Sequence, residues 1–456
     1  MSTPLDRQEL VGQARGSMTP IVFAGVVGTV MEWYDFLIYG TAAALVFNKL
    51  FFPNVDPLTG TLASLGTFAV GFFGRPLGAA IFGHFGDRMG RKVMLMITMV
   101  VTALGTFLVG LLPTYDQIGI WAPILLVALR FLQGVGLGGE WGGASLMVLE
   151  HAPKNRRGFY GSLVQVGFPL GMVASYGVFN LVSTLPDAAV KSWGWRVPFL
   201  LSIVLLGIGW FVRIRVPETP MFEEIRRRGE IVRNPFFQAI LKNPRSFLIA
   251  LGLKICEVSW VYILTIFVVI HATGRLQLPK SLLLNAIFLG ALLEVITIPL
   301  FGRLSDLFGR RTLYFVGVFF TFCFAFPLFW LLDLRDPQII IATIIIAMSL
   351  GHGTMFGLES TYFPELFGTS VRYTGASFGF QVSAALGGGL SPIIATALVG
   401  YFGGTAGVSA MLMVLAVLTF IATLLARETK DSSLLDPRQS PRQFADFAPS
   451  TLGRPG

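Results

Sequence analysis

Apolar runs of about 20 residues recur along the whole chain, separated by short polar breaks rich in arginine, glycine and proline. Each run is long enough to cross a hydrocarbon core about 30 Å thick as a helix. Only helices and closed barrels leave no backbone polar group unpaired in lipid. The runs are continuous rather than alternating, so they read as helices and not as barrel strands. The pattern predicts spans at 20–47, 61–83, 93–113, 121–147, 158–182, 196–214, 246–271, 281–302, 312–332, 338–362, 372–399 and 405–426. The longest polar break, 215–245, divides them into six and six. The fold class expected is therefore an all-α membrane protein of twelve transmembrane helices. Its units are a six-helix bundle at 1–217, a cytosolic linker at 218–245, a second six-helix bundle at 246–430 and a cytosolic tail at 431–456. The tail is polar, contains proline and lacks heptads, which predicts disorder. The start of the chain is polar up to Thr19 without a signal-peptide pattern, so the first span is expected to serve as an uncleaved insertion signal.

Composition agrees. The chain is 54% hydrophobic and only 13% charged, with a mean hydropathy of +0.71, too little charge to cover a soluble surface. The net charge of +9 would suit a polyanion, but its placement argues otherwise. Taking both termini as cytosolic, 25 Lys and Arg fall on that side, against six (Lys49, Lys191, Arg196, Arg275, Lys280 and Arg335) on the other. This is the positive-inside asymmetry; it accounts for the basic balance without nucleic acid and places both termini in the cytosol. Cys256 and Cys323 both lie within predicted spans and imply no disulfide framework.

The two halves repeat. GHFGDRMGRK at 83–92 follows the second span, and GRLSDLFGRR at 302–311 follows the eighth. Asp87 matches Asp306 and Gly90 matches Gly309 at a constant offset of 219. Glu150 and Arg157 after the fourth span match Glu365 and Arg372 after the tenth, and Glu218-Thr219 matches Glu428-Thr429. Transporters built from repeats place the substrate between the halves near the midplane.

These motifs resemble the major facilitator superfamily, whose loop mark Gly-x-x-x-Asp-x-x-Gly-Arg-Lys/Arg occurs here in both halves. The chain is more specifically similar to the metabolite:proton symporter branch, through MEWYDFLIYG at 31–40, GRPLGAAIFGHFGDRMGRK at 74–92 and RFLQGVGLGGEWGGA at 130–144. WGWRVPF at 193–199, PETPMF at 217–222 and PELFGTSVRYTGASF at 364–378 continue the match, which covers nearly all the chain except the tail. The resemblance implies the major facilitator fold, a bacterial inner membrane location, and symport of a small metabolite with a proton. Members carry 2-oxoglutarate, citrate, shikimate and other carboxylates, or proline and betaines. Residues 57–95 and the seventh and eighth spans look most like shikimate transporters. The osmosensing proline/betaine members carry a C-terminal coiled coil, which this tail lacks.

Charge within a membrane is expensive and usually functional. Inside the predicted spans lie Glu32, Asp35, Glu140, Glu257, Glu294, Glu359, Arg75, Arg130 and Lys254. Helical rise places Asp35 about 22 Å from the cytosolic end of its span and Arg130 about 13 Å from the outer end of its own, at similar height. Asp35 is therefore expected to pair with Arg130, an arrangement that also resembles proton-coupled sugar porters of the superfamily. Arg75 and Glu140 both lie about 12 Å above the cytosolic ends and are expected to pair in a lower layer. Glu32, Asp35 and Tyr39 share one helix face. A buried carboxylate favours its neutral form and a neighbouring arginine opposes this, so an anionic substrate competing for the arginine would recruit a proton. Asp35, Glu32 and Glu140 are the candidate proton carriers. Arg130, Arg75, Tyr39, Gln133 and Lys254 are the candidate substrate contacts. The plainer alternatives are structural ion pairs, including Lys254 with Glu257 on one helix. Glu359, within about 6 Å of the cytosolic edge, reads as structural or gating, and His352 as a mid-span histidine that could titrate near neutrality or, as the commoner case, pack with a hydrogen bond.

The loop residues Gly83, Asp87, Arg88, Gly90 and Arg91, with Gly302, Asp306, Gly309 and Arg310, are expected to latch the cytosolic side. There each Asp would meet an arginine or the N-terminal end of a facing helix, and the glycines would permit tight turns. GVGLGG at 134–139 fits a dinucleotide pattern, but it lies inside a span with no preceding strand. Gly134, Gly138 and Gly142 instead suit close helix packing. Gly167-Phe168-Pro169-Leu170-Gly171 partly resembles the antiporter motif of drug exporters, with a packing kink as the commoner explanation. No metal cluster, nucleophilic triad or phosphate loop is present, so no cofactor, metal or enzymatic activity is expected. The expected partners are a small organic acid, a proton and the lipid bilayer, with the protein a monomer. The readings that compete with proton-driven import are a proline/betaine symporter, an efflux antiporter and a transporter-like nutrient receptor.

Overall fold

A computed structural model describes residues 18–54, 57–229, 234–241 and 243–434. The expectations for the polar start, for the tail beyond 434 and for Arg233 and Lys242 fall outside the described residues.

Among the described residues, eleven helices are long and apolar enough to cross a membrane. In the first half these are α1 (Met18–Ala42), α3 (Arg91–Leu111), α4 (Trp121–His151), α5 (Lys154–Val182) and α6 (Gly194–Ile214). The second half supplies α7 (Pro244–Gly274), α8 (Lys280–Phe308), α9 (Arg310–Asp333), α10 (Pro337–Glu365), α11 (Thr369–Phe402) and α12 (Ala406–Leu425). The predicted second span is α2, Pro57–Met89, whose glycines, Arg75 and Pro76 dilute its apolar character without shortening it. Several helices run beyond the predicted spans, because helical hydrogen bonding continues past the apolar window at either end.

Local chemistry sets the boundaries. Asp336 caps α10, its carboxylate accepting from the N–H groups of Gln338 and Ile339 with Pro337 opening the first turn. Gly403, at φ 74°, ends α11 in the left-handed conformation. Gly90 and Gly309, at φ 114° and 101°, turn the chain sharply between α2 and α3 and between α8 and α9. The linker after α6 contains the short helices Pro220–Arg228 and Pro235–Leu241.

Large apolar side chains such as Phe319, Ile296 and Trp330 face outward, while charged groups of the spans point inward. This inverted pattern is that of a lipid-facing surface around a polar interior. Gly134 and Gly138 of α4 lie against the α2 backbone at Gly71 and Arg75, and Gly142 faces Ser377 of α11. In α5, Gly167 and Gly171 lie against Thr29 and Trp33 of α1, so the antiporter-like segment is a close helix contact.

Candidate functional site

Arg75 of α2 and Arg130 of α4 lie fully buried beside α1. Both guanidiniums rest on the same ring: the Phe36 centroid is 4.2 Å from Arg75 Cζ and 4.5 Å from Arg130 Cζ. Arg130 also lies 4.2 Å from the Tyr39 ring, and Arg75 lies 5.6 Å from Trp33. Gly71 makes room for Arg130, since a Cβ there would meet its guanidinium. Arg130 donates to Gln133 Oε1 at 2.6 Å, while its Nε and Nη2 have no hydrogen-bond partner. Nε and Nη2 of Arg75 are likewise unpartnered. Two buried cations with free, preorganised donors have the chemistry to hold an anion.

The pairings differ from those expected. Arg130 forms no ion pair with Asp35; Gln133 stands between them, its amide donating to the Asp35 carbonyl at 3.2 Å and to Thr106 Oγ1 at 2.6 Å. Asp35 Oδ1 and Glu32 Oε2 are buried without hydrogen-bond partners. Arg75 does not meet Glu140, which is held by Arg213 of α6 at 2.8 Å. Arg213 also donates to the Leu95 carbonyl at 2.7 Å, and the missing side chain of Gly28 leaves space for its guanidinium. Tyr39 donates to Thr67 Oγ1 at 2.8 Å, which fixes its ring below Arg130.

In the second half, Lys254 is already neutralised. Its Nζ contacts Glu257 on the same helix and lies 2.7 Å from Glu359 of α10. This disfavours the expected substrate contact and gives Glu359 a structural partner in Lys254. Glu294 does not reach Lys254; it bonds His352 Nδ1 at 2.6 Å, while His352 Nε2 lies 2.9 Å from Glu257. His352 therefore links two carboxylates in addition to stacking on Phe356.

The repeated loops meet the opposite half. Asp87 accepts from the N–H groups of Tyr373 at 3.3 Å and Thr374 at 3.0 Å, and from the Thr374 hydroxyl at 2.8 Å. Asp306 accepts from the N–H groups of Gly158 at 2.8 Å and Phe159 at 2.9 Å, and pairs with Arg310 at 2.8 Å. Each Asp thus caps a helix start in the other half, α11 for Asp87 and α5 for Asp306. Gly83 and Gly302 permit the approach, lying against Thr374 and against Ser162 with Gly158. Arg91 reaches Glu150 at 3.6 Å, as Arg310 reaches Glu365 at 3.6 Å. Arg88 departs from expectation: it is exposed and lies 3.3 Å from His84, one turn away on the same helix.

The family model of the major facilitator superfamily matches residues 26–392. The chain belongs to the major facilitator superfamily. It is 46% identical to the shikimate transporter of Escherichia coli K12 over 381 residues, covering 83% of this chain and 87% of that one. It is 40% identical to the inner membrane metabolite transport protein YhjE of the same organism (92% and 96% covered), and 36% identical to the proline/betaine transporter (92% and 85%). Its fold matches that of the proton:xylose symporter XylE with a TM-score of 0.71 at 18% identity, covering 92% of this chain and 98% of that one. These relatives support a permease of the metabolite:proton symporter type, and the chain is a transporter rather than an enzyme.

This major facilitator chain also uses residues that sequence reasoning missed. Arg213 lies at the end of a predicted span and reads as a loop cation, yet it turns inward to Glu140. Glu218 and Glu428 were visible only as a repeated pair. Glu218 accepts from the N–H groups of Arg91 and Lys92, each at 3.1 Å to one of its oxygens. Glu428 does the same for Arg310 at 2.9 Å and Arg311 at 3.0 Å.

Proposed function

We propose that this transporter imports a small organic acid of the shikimate-like or di/tricarboxylate kind together with a proton. The carrying observation is the pair of buried guanidiniums, Arg75 and Arg130, that keep free N–H donors near the carboxylates of Glu32 and Asp35, each of which has one oxygen without a hydrogen-bond partner. In this reading the substrate carboxylate takes the free donors, with Gln133 and Tyr39 holding Arg130 in place. Its negative charge then favours protonation of Asp35 or Glu32, so substrate and proton load together. Glu140 is the less suited proton carrier, because Arg213 holds its charge.

The units 1–217 and 246–430 move against each other through the linker 218–245, in the alternating-access manner of repeat transporters. The latches through Gly83, Asp87, Gly90 and Arg91 and through Gly302, Asp306, Gly309 and Arg310 hold the basic end shut. That end faces the cytosol of a bacterial inner membrane, with both termini on the same side, by the positive-inside rule. The protein works as a monomer. The shikimate transporter at 46% identity supports the substrate class. Betaines are disfavoured at this site, because a quaternary ammonium prefers open aromatic faces and here Phe36 and Tyr39 carry arginine.

Proteoliposomes with an internal alkaline pH should accumulate at least one acid from a labelled panel of shikimate, 2-oxoglutarate and citrate analogues. Accumulation of betaine alone, or of no acid in protein shown to be folded, overturns the reading. Orientation is tested with Glu223→Cys, on an exposed face of the linker helix, in a Cys323→Ser background. It should resist an impermeant thiol reagent in intact cells, and labelling there reverses the topology.

A further inference from the structure

The second half holds an arrangement that the proposed substrate site does not use. Glu257 of α7, Glu294 of α8 and His352 of α10 form a line, with both imidazole nitrogens in contact with carboxylate oxygens at 2.9 and 2.6 Å. All three side chains are at most 1% exposed. His352 ends a π-helical turn, Ala347–His352, a local widening that turns the imidazole between the two neighbouring helices.

Proton counting decides what this geometry requires. A neutral imidazole has one N–H and one bare nitrogen, and a carboxylate only accepts. Two short contacts between one imidazole and two carboxylates therefore need a proton beyond those of a neutral ring and two ionised acids. It sits either on the ring as imidazolium or on one of the two carboxyls. Surrounding charge points the same way. The charged and titratable groups facing the line are Lys254, Cys256 and Tyr262 on α7, Glu359 on α10 and Tyr314 on α9. Lys254 is shared by Glu257 and Glu359, and Tyr314 bonds Glu359 at 3.3 Å. Lys254 is thus shared by two of the three buried carboxylates, while Glu294 contacts only His352 and its Oε2 has no hydrogen-bond partner. Buried charge without compensation is strongly unfavourable in a membrane interior, and a bound proton supplies the missing positive charge.

We infer that Glu257, His352 and Glu294 form a proton-binding site in the second six helices, separate from Asp35 and Glu32. The site retains one proton while the basic end is latched. It is a binding site for H⁺ alone, independent of which acid the protein carries.

Nitrogen-15 NMR of reconstituted protein labelled at histidine reads the site directly. The chain has four histidines, so a His84→Gln/His151→Gln/His271→Gln variant leaves His352 as the sole signal. With no substrate present, at a pH where a free histidine is neutral, both ring nitrogens should be protonated. A proton lying instead on a carboxyl would leave one ring nitrogen unprotonated but hydrogen-bonded, and this also supports the site. Glu294→Gln should convert the ring to the ordinary neutral form. A His352 ring with one unprotonated nitrogen free of any hydrogen bond overturns the inference. That reading comes from the native site, so it does not depend on the Glu294 variant folding, and failure of acid transport would leave it untouched.

Discussion

Glu140 of α4 and Arg213 of α6 form a buried ion pair of 2.8 Å, and that pair removes from Arg75 the carboxylate it would otherwise meet. The two cations then divide their work. Arg213 is spent on a carboxylate and a backbone carbonyl, tying α6 to α3 and α4. Arg75 keeps Nε and Nη2 without hydrogen-bond partners, as the proposed anion site requires.

Arg213→Met should therefore act on stability. Leaving Glu140 buried without its partner is expected to cost about 3–5 kcal/mol, as for other broken buried pairs. The melting temperature of purified protein should fall clearly. The double variant Glu140→Gln/Arg213→Met should recover much of the loss, since both charges are gone. A double variant no better than the single one would mean that packing of the arginine, rather than its charge, matters.

Arg75→Gln and Arg130→Gln should act on binding. Each removes charge-assisted hydrogen bonds worth about 1.5–3 kcal/mol to an anion, so affinity should weaken roughly 10- to 100-fold. Stability should change little or improve, because neither guanidinium is paired with a carboxylate. Substrate titration by calorimetry and a melting curve on the same samples separate the two effects. Unchanged affinity in both variants would remove the arginine pair from the substrate site.

The spans and the repeat were legible because each rests on a one-dimensional signal. A run of apolar residues needs no partner to be recognised, and the Asp87 and Asp306 motifs carry their spacing with them. The pairings were less legible. Height along a helix follows from residue number, but direction around it and side-chain reach do not. Asp35 and Arg130 do share a layer, yet Gln133, three residues after Arg130, takes the direct contact. Arg213 stands at a span end, where residue number suggests a loop cation, whereas its long side chain reaches back into the bundle. His352 looked like packing because neither Glu257 nor Glu294 is close to it in sequence; only the assembled helices bring all three together.

Asp87→Asn should loosen the latched end. The amide retains one acceptor for the N–H groups of Tyr373 and Thr374, but it loses the charge facing the start of α11 and Arg91. A charge at a helix N-terminus is worth about 0.3–1 kcal/mol, up to about 2 when partly buried. A shift of that size raises the unlatched population up to about 30-fold. Ser377→Cys in a Cys323→Ser background reports it, since Ser377 is buried against Gly142 between the halves. Its labelling rate should rise in the Asp87→Asn protein while substrate affinity changes little. An unchanged rate would make Asp87 a local structural residue.

The sharpest division concerns Asp35 and Glu32, both buried, both with an unpartnered oxygen and both on the face of α1 that carries the Phe36 ring under the arginines. If Asp35 carries the coupled proton, Asp35→Asn fixes it in a state that resembles the protonated acid. Substrate should still bind and exchange across the membrane, because the loaded form no longer has to gain or lose a proton. Accumulation driven by a pH gradient should collapse, because a gradient cannot act on a group that does not titrate. Glu32→Gln should then keep accumulation, and reversed results would move the carrier one helical turn along α1. Loss of accumulation in both, with exchange intact, would mean that the two acids share the role. A structural role predicts something different: lower yield of folded protein, but full accumulation per molecule that remains. Uptake and exchange, each normalised to reconstituted protein, distinguish these cases. Full accumulation by the Asp35→Asn/Glu32→Gln double variant would exclude both α1 acids and leave Glu140 and the Glu257, His352 and Glu294 line as the remaining candidates for the coupling site.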